Sequence, residues 1–331
     1  MAQDLFSQQA ANRRRSRWLV AAFIAFFAWL GFGGDLIAYL ATRDTPPGAY
    51  HHVLPLGGLL LTAIAGGIAA LAWHTGAQKV LWSTGARELT VATTSAEQQL
   101  INVVDEMAIA SGMPRPRIWL VPDDDPNAFA TGRDERNSHV AVTEGLLRTL
   151  DRDELQGVVA HEMGHIKNLD IRLTTLLAAL VGAVALLGDG AWRMIGRGGA
   201  RLTAVGGGSR REGKRDGAGP LVLVLLALWI MSWLLAPLIT RLLALSVSRN
   251  REFLADTMSA QFTRNPLALA SALEKIENAA APTRSIKSGS AHLCIADPAG
   301  HARRLLGVFA THPPMSTRVR RLRAMGYGAA Q

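Results

Sequence analysis

Cysteine is almost absent. Cys294 is the only one in 331 residues, so no intramolecular disulfide can form and no cysteine-based zinc cluster can be built. That fits a reducing compartment. Charge is also sparse: 18% of residues are charged against 49% apolar, below the charge content of an ordinary soluble domain. What charge there is leans one way, to a formal net +9. Aromatic residues make up only 6%. They do not interleave with the basic ones, and no nucleic-acid module is visible, so a nucleic-acid partner is not expected. The arginines instead crowd beside apolar runs, where the positive-inside rule and anionic lipid headgroups favour them. No internal repeat and no nucleophilic serine or cysteine stands out.

Four apolar runs are present: Trp18 to Leu40, Val53 to Trp73, Leu173 to Leu187, and Leu221 to Leu245, the last interrupted by Pro237 and Arg241. The first two predict a transmembrane hairpin turning at Thr45-Pro46-Pro47-Gly48. The basic stretch Arg13 to Arg17 precedes the first run. That run, at about 20 residues, is too long for a signal-peptide core and is expected to stay in the bilayer. Basic residues place the N-terminus, and after two crossings residues 76–170, on the cytoplasmic side. The third run is short, about 15 residues against the usual spanning length. The linker behind it, 191–220, carries Arg193, Arg197, Arg201, Arg210, Arg211, Lys214 and Arg215. A second crossing hairpin would put those charges outside, so runs three and four also fit a re-entrant or interfacial hairpin.

The remaining sequence is of soluble type. Leu100, Val103, Val104, Met107 and Ala108 share a helical face in 95–111, with Ser95 as N-cap. Short strands are expected at Arg117–Val121, Asn127–Thr131 and Ser138–Thr143, and helices at Thr143–Leu150 and Asp151–Asp170. The last opens on a capping-box pattern, Asp151 and Glu154. Amphipathic helices are expected from Asn265 on. The chain divides into an N-terminal transmembrane hairpin (1–75), a catalytic segment (76–170), a second apolar hairpin with its basic linker (171–245) and a C-terminal catalytic segment (246–331).

The chemistry concentrates in His161-Glu162-Met163-Gly164-His165. On a helix, residues four apart differ by about 40° in direction, so both imidazoles leave one face. Two neutral imidazoles suit Zn²⁺, and the adjacent carboxylate can take a proton from the attacking water. The flanks Asp151-Arg152-Asp153-Glu154 and Lys167-Asn168-Leu169-Asp170 are charged. The motif therefore sits at or above a membrane surface, not inside the bilayer. A catalytic zinc needs a third protein ligand. A helix continued to Asp170 would carry it about 140° from His165. Glu252, four residues before Asp256, is the better candidate, with Asp256 free to orient an imidazole.

HEMGH, then SRNREFLAD after two apolar runs, then Thr311-His312-Pro313-Pro314 with Arg318, resembles the M48 metallopeptidases. Within them the likeness is to the HtpX branch, bacterial inner-membrane heat-shock proteases. The order of features covers nearly the whole chain. The resemblance implies a mainly α fold with a small β-sheet (α+β, a gluzincin-like core) plus transmembrane helices. It implies one Zn²⁺ held by His161, His165 and Glu252, Glu162 as general base, and Asp256 as partner of His161. Asn127, Ala128, Phe129 and Ala130 match the segment that pairs with an extended substrate. His312 and Arg318 match a segment closing over the site, where a donor stabilises the oxyanion. The implied activity is endoproteolysis of misfolded or damaged membrane proteins, or unfolded polypeptides, on the cytoplasmic face of the bacterial inner membrane.

Other functions fit less well. An intramembrane protease would carry its motif in apolar sequence. Prenyl-protein proteases share these motifs on larger chains with more spans. A non-enzymatic zinc-binding scaffold or sensor would fill all four metal positions and have no use for Glu162. His51, His52 and His74 sit at membrane ends and read as interfacial; His292 and His301 lack ligand spacing, and Cys294 reads as a small buried residue.

Overall fold

A computed structural model describes residues 5–42, 54–184, 223–232, 250–279, 285, 293–295 and 313–328. His312, the 45–48 turn, the 191–220 linker, the last three residues of the third apolar run and most of the fourth lie outside the described residues. Along the chain come helices α1 (Leu5–Thr42) and α2 (Leu56–Ser83), strand β1 (Arg87–Glu88), helix α3 (Ser95–Ser111) and strands β2 (Arg117–Val121), β3 (Ala128–Asp134) and β4 (Asn137–Thr143). Helices α4 (Glu144–Thr149) and α5 (Arg152–Lys167) follow. Then come α6 (170–184) and α7 (Leu223–Ser232), and α8 (Asn250–Thr263), α9 (Pro266–Asn278) and α10 (Met315–Gly328). The fold is mainly helical with one small sheet. The chain divides into two compact units.

The first unit comprises Met1–Arg17, Ala72–Ala179 and Leu242–Gln331. Its sheet runs in the order β1-β2-β4-β3, with β2 and β4 parallel and the other pairs antiparallel. Side chains alternate along each strand, so the sheet buries both faces. Ile118, Ala128, Ala130, Val140 and Val142 face the main core with α3, α5 and α9. Trp119, Val121, Phe129 and Ala141 face a second core with Val80 and Leu81 of α2 and Ala178 of α6. Strands β1 and β3 form its two edges.

Local chemistry sets the helix ends. Thr94, one residue before the expected Ser95, caps α3 by accepting from the Glu97 amide, and Gly112 closes it at φ 66. Asp151 and Glu154 form a full capping box on α5. The Glu154 carboxylate also accepts from Ser271 and Lys275 of α9 at 2.7 and 2.6 Å. Helix α5 stops at Lys167, earlier than the expected Asp170. Leu169 takes φ 58, and a new helix begins at Asp170.

Two glycines let α5 sit against its neighbours. A Cβ on Gly164 would lie 3.2 Å from Ala255 Cα of α8, and one on Gly157 would lie 2.9 Å from the Leu269 amide nitrogen of α9. The Gly157 carbonyl also accepts from Ser259 Oγ at 2.8 Å.

The second unit comprises Trp18–Leu71 and Leu180–Arg241. Phe27, Leu30 and Ala65 form its small core. Gly31 abuts Gly57 and Gly58, where an added Cβ would lie 2.6 Å from the Gly57 carbonyl oxygen. The Asp35 carboxylate accepts from the Gly57 and Gly58 amides at 3.2 and 2.7 Å, capping α2. Trp229 donates to the Leu30 carbonyl at 2.8 Å. Trp29, Leu36, Leu59, Leu60 and Leu71 point outward and exposed. Helices α1 and α2 are long and apolar enough to cross a membrane.

Replacing Gly157 by Ala should drive a methyl group into the α9 backbone. The expected cost is about 1–3 kcal/mol, as for other overpacked cores. Denaturant unfolding of the detergent-solubilised protein measures it; an unchanged midpoint would contradict this packing.

Candidate metal centre

Helix α5 carries His161, Glu162 and His165 on the face turned to α8 and β3. His161 is wholly buried and Glu162 nearly so, while His165 keeps 15% of its side chain exposed. The two imidazole rings lie 4.8 Å apart at 90°. Glu252, in the first turn of α8, comes to 3.8 Å from His161 Nε2 and 3.6 Å from His165 Nε2. One ligand atom from each of the three lies within 4.8 Å of the others. The three residues read from the sequence as metal ligands are thus brought together across 87 residues of chain (165 to 252).

Each imidazole is pinned from behind. Asp256 Oδ1 is 3.0 Å from His161 Nδ1, and Asp170 Oδ2 is 3.0 Å from His165 Nδ1. With both Nδ1 atoms engaged by carboxylates, both Nε2 atoms turn toward Glu252. Two imidazole nitrogens and a carboxylate facing one another form a donor set that could hold a divalent metal ion. Asp170 and its role come from the break at Leu169. The expected angle of about 140° assumed an unbroken helix, and the new helix start swings Asp170 back onto His165.

Two buried cations balance the carboxylates. Arg318 is fully buried on α10 and donates to Asp256 through Nε and an Nη at 2.9 and 2.7 Å. Its other Nη lies 3.3 Å from Glu252. Arg251 reaches 3.5 Å from Asp170. From the far end of the chain, buried Asn12 donates to Asp170 Oδ1 at 2.8 Å and to the Asn168 carbonyl at 2.9 Å. Nothing in the sequence marked Asn12, which stands beside the arginine stretch before the first apolar run.

These contacts separate the proton affinities. Burial, helped by the Arg318 charge, lowers His161 to about 4. Burial opposes ionisation of Asp256, but Arg318 and the His161 hydrogen bond outweigh it and hold it at about 2. Burial also works against a charged His165; its bond to Asp170 and the nearby Glu252 prevail and raise it to about 9. Burial raises Glu162 to about 7.

The edge of β3 completes the site. Thr143 N donates to the Asn127 carbonyl at 3.0 Å. By antiparallel alternation Ala128, Ala130 and Gly132 then turn their amide groups to the open edge. There the Ala130 amide donates to Glu162, and Gly132 N donates to Thr175 Oγ1 at 3.0 Å. Part of this edge is already paired: Ile295 N donates to the Ala128 carbonyl at 2.9 Å, and Phe129 bridges Cys294 antiparallel. Asn127 is buried and its Oδ1 accepts from the Ala128 amide at 3.0 Å. A cavity of about 20 Å³ opens between Ala130, Glu162, His165, Glu252 and Leu293. His139, the other strand histidine, accepts from Trp119 Nε1 at 3.0 Å and takes no part in this cluster.

Comparison with known proteins adds an independent line. The profile described as Peptidase family M48 matches residues 94–326. A Protease HtpX homolog of Streptococcus gordonii is 40% identical over 97% of this chain and 100% of its own length. Another, from Tropheryma whipplei, is 46% identical over 69% of this chain and 72% of its own. A solved structure of S. mikatae Ste24p aligns over 92% of this chain and 66% of that chain, at a TM-score of 0.43 and 17% identity.

Metal uptake at this triad should be linked to protons. His161 is already neutral, whereas His165 must lose a proton. About one proton per metal ion should be released at pH 6.5, with affinity rising about tenfold per pH unit until pH approaches the His165 value. Calorimetry of Zn²⁺ binding in buffers of different ionisation enthalpy counts the protons. A binding heat independent of buffer would contradict the charge assignment.

Proposed function

The chain belongs to peptidase family M48, and we propose that it is a zinc-dependent endopeptidase of the bacterial inner membrane. In this reading it clears misfolded or damaged membrane proteins, and unfolded polypeptides, from the cytoplasmic side. Membership makes it a metallopeptidase. The observation that supports the site most is the convergence of His161, His165 and Glu252, each imidazole backed by a carboxylate. The two long apolar helices and the arginines before the first support the membrane placement.

His161, His165 and Glu252 would hold the zinc, which would supply Lewis acidity to the scissile carbonyl and the attacking water. Glu162 takes the water's proton and delivers it to the leaving amine. Its raised proton affinity, about 7, suits both halves of that task near neutral pH. The Ala130 amide holds the Glu162 carboxylate beside the edge strand, so base and substrate are aligned by one residue. An extended peptide adds at Asn127–Ala130 by backbone pairing, which asks little of its side chains. Residues 293–295 occupy part of that edge, so the substrate displaces them as it enters. His312 donates to the developing oxyanion. Arg318 is wholly buried on Asp256 and holds His161 in place through that carboxylate; its Nη atoms also lie 3.3 Å from His161 Nε2 and from Glu252, beside the donors of the site.

The test is cleavage of an unfolded or membrane-protein substrate by the zinc-loaded protein in detergent, beside Glu162→Gln. The variant should keep its zinc and lose about 10²–10⁴-fold in rate, the range for a general base. Turnover retained in Glu162→Gln would refute the role of Glu162. Absence of cleavage by zinc-loaded wild type would refute the peptidase reading in favour of a scaffold.

A further inference from the structure

A second cavity, about 140 Å³, lies away from the metal centre on the first unit. Its wall carries Arg117, Arg133, Arg136 and Arg172, together with His74 and Trp73. Two acidic groups answer these arginines: Glu88 lies 3.8 Å from Arg117, and Asp134 lies 3.5 Å from Arg133. Both pairs are partly exposed, so each neutralises little. Arg172 is held in place by the Arg133 carbonyl, 2.7 Å from its Nε, and by the Trp73 ring, 5.1 Å from its guanidinium carbon. Burial and the nearby Arg13 both disfavour its charge; Asp134 partly offsets them, and Arg133 adds to the repulsion. Four guanidinium groups round one small polar cavity favour an anion there. Planar guanidinium forks fit phosphate oxygens best.

The position of the cavity selects the source of that phosphate. The apolar run of α2 ends at Trp73, and the next residue, His74, lines the cavity. The apolar run of α6 begins at Leu173, directly after Arg172. The cavity thus sits where two apolar runs give way to polar sequence, with a tryptophan at the boundary. That is the level of lipid headgroups.

We propose that this arginine-lined cavity binds the phosphate of an anionic phospholipid headgroup. The site is separate from the metal centre and shares none of its ligands. It stands whether or not the peptidase reading holds.

The experiment is native mass spectrometry of the full-length protein in detergent. The protein is titrated separately with short-chain phosphatidylglycerol, short-chain phosphatidylcholine and inorganic phosphate. Arg117 and Arg136 are exposed, so Arg117→Gln/Arg136→Gln should fold; Arg136→Gln alone is the fallback. Arg320→Gln/Arg323→Gln, at exposed positions of α10 outside the cavity, is the charge-matched control. Wild type and the control should bind phosphatidylglycerol saturably, and the double variant about tenfold or more weakly. Equal binding of phosphatidylcholine, or of phosphatidylglycerol by the double variant, would overturn the proposal. Inorganic phosphate binding as tightly as the lipid would overturn the lipid assignment in favour of a free-phosphate site.

Discussion

The close crossing of α5 and α8 is the constraint on which the rest depends. His161 and His165 project from one helix by local geometry, but Glu252 reaches them only if α8 lies almost backbone to backbone on α5. Gly164, inside the motif itself, permits that approach, with Ala255 as its small counterpart three residues after Glu252. The glycine therefore helps to assemble the His161–His165–Glu252 cluster although it offers no side chain to it. Ser259 then ties α8 to the carbonyl of Gly157, the second glycine of α5. The crossing is fixed at two points about two turns apart on α5.

Burying this many charges requires that each have a partner. Arg318 balances Asp256, which fixes His161; Arg251 and Asn12 engage Asp170, which fixes His165. An isolated charge at any of these places would cost several kcal/mol. The arrangement is asymmetric: one histidine is kept neutral and the other binds its proton tightly while no metal is there. A metal ion held by His161, His165 and Glu252 would exchange for a proton instead of adding to an already balanced site.

Much of this was legible in the chain. HEMGH sets two imidazoles on one helix face by periodicity alone, and the capping box at Asp151 and Glu154 marks where that helix begins. The β2 strand falls where the run Arg117–Val121 placed it. Glu252 and Asp256 needed their spacing and the family likeness together. Asp170 escaped because an angular projection holds only within one helix, and the positive φ at Leu169 has no signature in that sequence. Asn12 escaped because long-range partners of a buried carboxylate carry no local pattern. Residues 293–295 escaped because a strand of three residues is too short for periodicity.

The central claim is that His161, His165 and Glu252 form one metal site. Zinc-edge X-ray absorption on the zinc-loaded full-length protein tests it directly. The expected spectrum shows about one zinc per chain, two imidazole nitrogens and further oxygen ligands at roughly 2.0–2.2 Å, with no sulfur. A sulfur ligand, a shell of oxygens without imidazole, or no stoichiometric zinc would contradict it.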